Sequence, residues 1–177
     1  RSINPTFIII PQNGLEILTF DGETTGLAEP TYINAIDCVG REDLFYGYDN
    51  DNVPTSTIYK DYMIAFLDIA KNNGIEVLVK DDCWTSSYMD DSYAQNNEKG
   101  YISFTADHRE LDNIPEYPTT PNNANTNNIS SLTLVKNFLY LLNPGSFNTK
   151  TDFLTENFAM FIFNPLYHQS ILSIEFL

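Results

Sequence analysis

The strongest constraint on the fold is a recurrence of short apolar runs, rich in β-branched and aromatic residues, with polar or helical stretches between them. The runs are residues 6–10 (TFIII), 32–39 (YINAIDCV), 75–79 (IEVLV), 101–105 (YISFT), 138–142 (FLYLL) and 159–163 (AMFIF). Several are apolar at both odd and even positions. That pattern predicts strands covered on both faces, as in a parallel sheet, not the alternation of a half-wet antiparallel one. Between the second and third runs, residues 57–73 predict the clearest helix. Ile58, Tyr62, Phe66 and Ile69 fall on one stripe, with Tyr59, Met63 and Ala70 beside it, so its Tyr and Phe residues are expected in the core. Pro54 and Ser56 suit its start, and Gly74 suits a left-handed C-terminal cap. A weaker helix over 86–98 is ended by Gly100 and leads straight into YISFT. Strand, helix and strand in this order make a βαβ crossover. Strand spacings of roughly 20 to 40 residues match repeated units of an α/β barrel or doubly wound sheet. No Gly-rich phosphate loop follows any run, which counts against nucleotide binding.

Composition narrows the partners. The chain has 177 residues and 42% hydrophobic content, enough for a real core. Its formal net charge of −15 comes with no offsetting Lys/Arg cluster. Nucleic acid is therefore an unexpected partner, since such binding starts by neutralising phosphates. The same charge opposes docking on anionic membranes. No run approaches the roughly 18 apolar residues of a membrane span. Two histidines, His108 and His168, with no metal-ligand spacing, predict no metal site, and no cofactor is expected. Cys38 and Cys83 would lie on neighbouring strands, and sequence does not decide whether they pair. Residues 113–128 (NIPEYPTTPNNANTNN) read as an extended surface linker, because nothing there can pack a core.

In parallel α/β folds the working groups sit just past the C-terminal ends of the strands. Those positions hold Gln12 and Asn13, then Arg41, Glu42 and Asp43, then Asp81, Asp82 and Trp84, then Asp107, His108 and Arg109. Carboxylates flanking a bond, with aromatic rings to stack on sugar faces, are what glycoside hydrolysis requires. Tyr46, Tyr48, Trp84, Tyr88 and Tyr93 fall within reach by sequence. Blander roles fit the same residues. Arg41 and Glu42 make an ordinary loop ion pair, Asp81 or Asp82 caps the following helix, and His108 is a surface or packing histidine. Strand alternation also sends the two members of each adjacent acidic pair to opposite faces.

The stretches FIIIPQNG (7–14), YINAIDCVGREDLFYGYDND (32–51), VLVKDDCWT (77–85), DDSYAQN (90–96), GYISFTADHRELDNIP (100–115) and KNFLYLLNP (136–144) resemble a bacterial family. It is the group of glycoside hydrolases related to family 114, the endo-α-1,4-polygalactosaminidase group. The resemblance spans about residues 4–164 and rests most on GREDLFYGYD and ADHRELD. It implies an incomplete, circularly permuted (β/α)8 TIM-type barrel with about six strands present. Residues 1–112 would form the second half, 113–130 the linker, and 131–177 the truncated start of the other half. It also implies a secreted or cell-envelope protein acting on an amino-sugar polysaccharide, with Glu42 as general acid and Asp81 as a second catalytic group. Gln12, Asn13, Asp43, Tyr46, Trp84, Asp107 and Arg109 would line the cleft. The family's other acidic groups belong to strands not found here, Asp82 stands where an aromatic is more usual, and Asn164 stands where an Asp is expected. The stretch by itself is accordingly expected to be inactive. The alternative function is a non-catalytic glycan-binding barrel that keeps the aromatic cleft without a full carboxylate pair.

Overall fold

The computed structural model describes residues 8–109, Leu111 and the backbone of 158–162. The strands are β1 (Ile8–Gln12), β2 (Cys38–Glu42), β3 (Glu76–Asp82), β4 (Ile102–Ala106) and β5 (Phe158–Ile162). All the pairings are parallel, and the order is β4-β3-β2-β1-β5. Among the described residues three α-helices accompany them, a single turn α1 (Pro30–Ile33), α2 (Thr57–Asn72) and α3 (Ser86–Glu98), together with a 3-10 turn at Leu15–Leu18.

This corrects the expected incomplete barrel of about six strands. Residues 8–106 form a small α/β domain of four parallel strands with three helices. The segment β5 adds at the edge of β1. Among the described residues the sheet is a linear series with β4 and β5 at its ends. The run at 138–142 and the linker at 113–130 lie outside the described residues.

The second predicted strand is shortened for a local reason. Pro30 occupies the first helical turn, where its missing N–H costs nothing. The Glu29 carboxylate accepts from the backbone N–H of Thr31 and Tyr32. Residues 32 and 33 therefore complete a helical turn, and extended structure begins only at Cys38. The other strand ends move the opposite way. β1, β2 and β3 run through Gln12, Glu42 and Asp82, so polar residues expected in loops are members of strands.

Alternation then sorts the side chains. Val39, Val77, Val79 and Cys83 pack with Met63, Phe66, Leu67 and Ala70 of α2 and Met89 of α3. In register on the opposite face stand Gly40 and Glu42, Leu78, Lys80 and Asp82, and Ile102, Phe104 and Ala106. The buried stripe of α2 is thus centred on Met63, Phe66, Leu67 and Ala70. The stripe expected from sequence sits to one side of it: Ile58 is 81% exposed, and Tyr59 and Tyr62 are also exposed. Met63, Phe66 and Ala70 belong to both groupings and Ile69 packs against the core, so the periodicity holds and the buried face is turned by about one residue from the expected one.

The cysteines do not pair. Cys38 is level with Glu76 at the start of β3, whereas Cys83 follows its end, about 23 Å further along the strand direction. A disulfide needs Cα atoms within about 7 Å. Both thiols are free and buried, and burial pushes the Cys38 thiol up to about 12. They are packing groups, not nucleophiles.

Candidate functional site

The C-terminal ends of β1, β2 and β3 bring charged groups together by two devices. The first is strand register. Glu42 on β2 pairs with Lys80 on β3, and Asp82 lies two residues further along on the same face. Lys80 Nζ touches Asp82 Oδ2 at 2.6 Å and Glu42 Oε1 at 3.9 Å. Lys80 and Asp82 are fully buried, while the Glu42 side chain remains 28% exposed. A buried ammonium is tolerable only with such partners.

The second device is a left-handed residue at the end of a strand. Asp43 has φ 58°, a conformation that Asp and Asn adopt more readily than other side-chain-bearing residues. It breaks the alternation that would send Glu42 and Asp43 to opposite faces. Asp43 Oδ2 reaches Arg109 Nη1 at 3.2 Å, and the same nitrogen is 3.0 Å from Asp82 Oδ2. The result is an alternating series of acidic and basic side chains: Glu42, Lys80, Asp82, Arg109, Asp43. Burial pushes the Asp43 carboxyl up to about 7. Lys80 and Arg109 pull it down, and Asp82 adds to the rise.

Arg109 fastens this arrangement from the loop after β4. Its Nε binds Asp51 at 2.6 Å and its Nη2 donates to the Gly47 carbonyl at 2.8 Å. Gly47 has φ 108°, and a Cβ there would stand 2.5 Å from Asp43 Oδ1 and 3.1 Å from Asp82 Cβ. Only glycine lets the loop lie this close to the two acids. Asn52 ties the loop to its neighbour. Its N–H donates to the Asp82 carbonyl, and its Oδ1 accepts from the N–H groups of Trp84 and Thr85.

Asn13 repeats the left-handed device at the end of β1, with φ 60°. Its Oδ1 accepts from Arg41 Nη1 at 3.0 Å and from the Glu42 N–H at 3.4 Å. Gln12 is buried on the face shared with Glu42, and its Oε1 has no hydrogen-bond partner among the described residues. Asp107 is partly exposed and lies 2.6 Å from His108 Nδ1. Trp84 is 47% exposed on the loop after β3.

Two residues expected at the site are not brought to it. Asp81 points to the helix-covered face, as alternation requires, and is completely buried. Its Oδ1 accepts from the N–H groups of Phe45 and Tyr46, and its Oδ2 from the Ser92 hydroxyl at 2.6 Å and the Asn96 amide at 3.4 Å. It is an anchor between the β2 loop and α3, and it does not cap α3, whose N-cap is Thr85. Burial pushes its carboxyl up, against those hydrogen bonds. Tyr46 is buried as well, stacked on Tyr88 with its hydroxyl donating to Asp91 at 2.7 Å.

The sequence reading names Asp82 among the strand-end groups but gives it no part in the cleft, and it assigns no role to Lys80, Asp51 or Gly47. The available signal was KDD directly after VLV: three charges in a run whose neighbours are buried on both faces must find partners inside. Taken together, the fold and rim define a small parallel α/β domain with a carboxylate-rich strand-end cluster. No known protein family matches the chain, and no curated protein is similar to it.

Proposed function

We propose that the protein is a glycoside hydrolase-like enzyme acting on an amino-sugar polysaccharide by carboxylate acid/base catalysis. The observation that carries this reading is the meeting of Glu42, Asp43 and Asp82 around Lys80 and Arg109 at one strand-end rim. Hydrolysis of a glycosidic bond needs one acid to protonate the departing oxygen and a second carboxylate to attack carbon or activate water. Glu42, the rim carboxylate whose side chain remains open to solvent, is the general acid of this reading. Asp82 sits behind it as a positioning residue, fixing Lys80 and Arg109. The substrate class and a secreted or cell-envelope location follow from the family resemblance.

A second reading, a non-catalytic glycan-binding protein, draws on the exposed aromatic surface beside the rim and the complete burial of Asp82. Reducing ends released from polygalactosamine separate the two. The hydrolase reading expects turnover by the wild type and at least about a hundredfold loss in Glu42→Gln. Near-normal turnover in that variant removes Glu42 from the role, and glycan binding without any turnover favours the second reading.

Among the described residues no helix is long and apolar enough to cross a membrane.

A further inference from the structure

The ion pairs of the rim leave two carboxylate oxygens unaccounted for. Asp43 Oδ2 is held by Arg109, and Asp82 Oδ2 by Lys80 and Arg109. Asp43 Oδ1 and Asp82 Oδ1 are buried without a hydrogen-bond donor among the described residues, yet the two carboxyl groups lie within hydrogen-bonding reach of each other. Two ionised carboxylates facing one another away from water repel strongly, and a proton on one of them turns that repulsion into a hydrogen bond. The surrounding charges favour the proton. Glu42 and Arg41 come from β2, Lys80 from β3, Asp51 from the loop after β2 and Arg109 from the loop after β4. With Asp43 neutral, the anionic Glu42, Asp51 and Asp82 match the cationic Arg41, Lys80 and Arg109. With Asp43 ionised, acids outnumber bases.

Residues 47–53 lie over this pair, with Gly47 pressed on Asp43 Oδ1. The base of the loop is fixed, because the buried Asp81 accepts from the N–H groups of Phe45 and Tyr46 and the Thr55 N–H donates to the Phe45 carbonyl. Its outer part is held to the rim by Arg109, through Asp51 and the Gly47 carbonyl, and by the Asn52 N–H on the Asp82 carbonyl at 2.8 Å. We propose that the Asp43 carboxylic acid donates from Oδ1 to Asp82 Oδ1, and that this hydrogen bond is the catch of a pH-operated clasp holding residues 47–53 on the rim beside Glu42. Loss of the proton to solvent leaves two anionic oxygens facing each other beneath Gly47. Hydrating them displaces the loop that covers them. Arg109 Nη1 stays with the acids, and the Arg109 bonds to Asp51 and Gly47 are given up. Burial raises the Asp43 carboxyl to about 7, Lys80 and Arg109 pull it down, and Asp82 adds to the rise. The folded value lies above the ordinary one, so the catch is closed in mildly acidic solution and opens as pH rises through neutrality. The clasp does not depend on the glycan reading.

Hydrogen exchange at the Asn52 amide, corrected for the intrinsic rate, follows the clasp in the full chain between about pH 6 and pH 8. Wild-type protection should fall about tenfold over the pH unit above the midpoint, since each unit shifts an ionisation equilibrium by that factor. Fluorescence of Trp84, the single tryptophan, should change in the same step, because its backbone N–H is bonded to Asn52 Oδ1. Asp43→Asn keeps a donor toward Asp82 at every pH and should stay protected throughout, whereas Glu42→Gln should keep the wild-type transition. If Asp43→Asn does not fold, carbon-13 titration of the Asp43 carboxyl in wild type decides. A midpoint shared with the Asn52 transition supports the clasp, and midpoints more than about one pH unit apart overturn it. Constant protection in wild type, a transition that survives in Asp43→Asn, or one abolished by Glu42→Gln would each overturn it as well.

Discussion

Replacing Asp43 with Asn tests the energetics of the rim. The Asp43 side chain is only 13% exposed, and burial with Asp82 nearby raises its carboxyl from 3.8 to about 7 despite Lys80 and Arg109. An acid whose folded value lies above its unfolded one holds its proton more tightly in the native state. Between about pH 4 and pH 7 the native protein therefore binds more protons than the unfolded chain, and this group's contribution to stability falls as pH rises. A difference of about three pH units at about 1.4 kcal/mol each amounts to roughly 4 kcal/mol above pH 7. Asn mimics the neutral carboxyl and carries no such dependence. Asp43→Asn should match wild type near pH 4 and exceed it by up to about 4 kcal/mol at pH 8, or roughly 10 °C in melting temperature. Urea unfolding of both proteins at pH 4, 5.5, 7 and 8 measures this. Parallel stability profiles, or a variant less stable than wild type at pH 8, would refute the assignment of a desolvated Asp43.

Two further substitutions probe the supports. Asp81→Ala leaves the buried donors of Phe45, Tyr46, Ser92 and Asn96 without their acceptor, so unfolding free energy should fall by about 3–5 kcal/mol. A loss below 1 kcal/mol in urea unfolding would contradict the anchor. Gly47→Ala forces a Cβ against Asp43 at a left-handed backbone position and should cost about 1–3 kcal/mol by the same assay. A neutral effect would show that the loop does not press on the acids.

The parallel α/β core was legible because its signals are local and redundant. The runs at 75–79 and 101–105, the helix at 86–98 and the βαβ order all appear where periodicity places them. The failures share a physical origin. Hydropathy ends a strand where charge begins, but Lys80, Asp81 and Asp82 stay in β3 because Lys80 and Asp82 pair with each other and Glu42, Ser92 and Arg109 reach them from other elements. The weak amphipathicity of α3 has the same cause, since its buried face carries Ser92 and Asn96 to serve Asp81. A weak helix next to an acidic pair was thus a trace of the anchor, visible only once the partner is known. Asp43 and Asp82 do stand near Glu42 at the strand ends. Which acids share a face was not legible, because the left-handed turn at Asp43 overrides alternation while Asp81 and Asp82 obey it.

Release of reducing ends from polygalactosamine by wild type and Glu42→Gln, side by side at neutral pH, bears most directly on the central claim. Wild-type hydrolysis that drops about a hundredfold or more in the variant is the predicted result. Equal rates in the two proteins, or no hydrolysis by wild type, would contradict it.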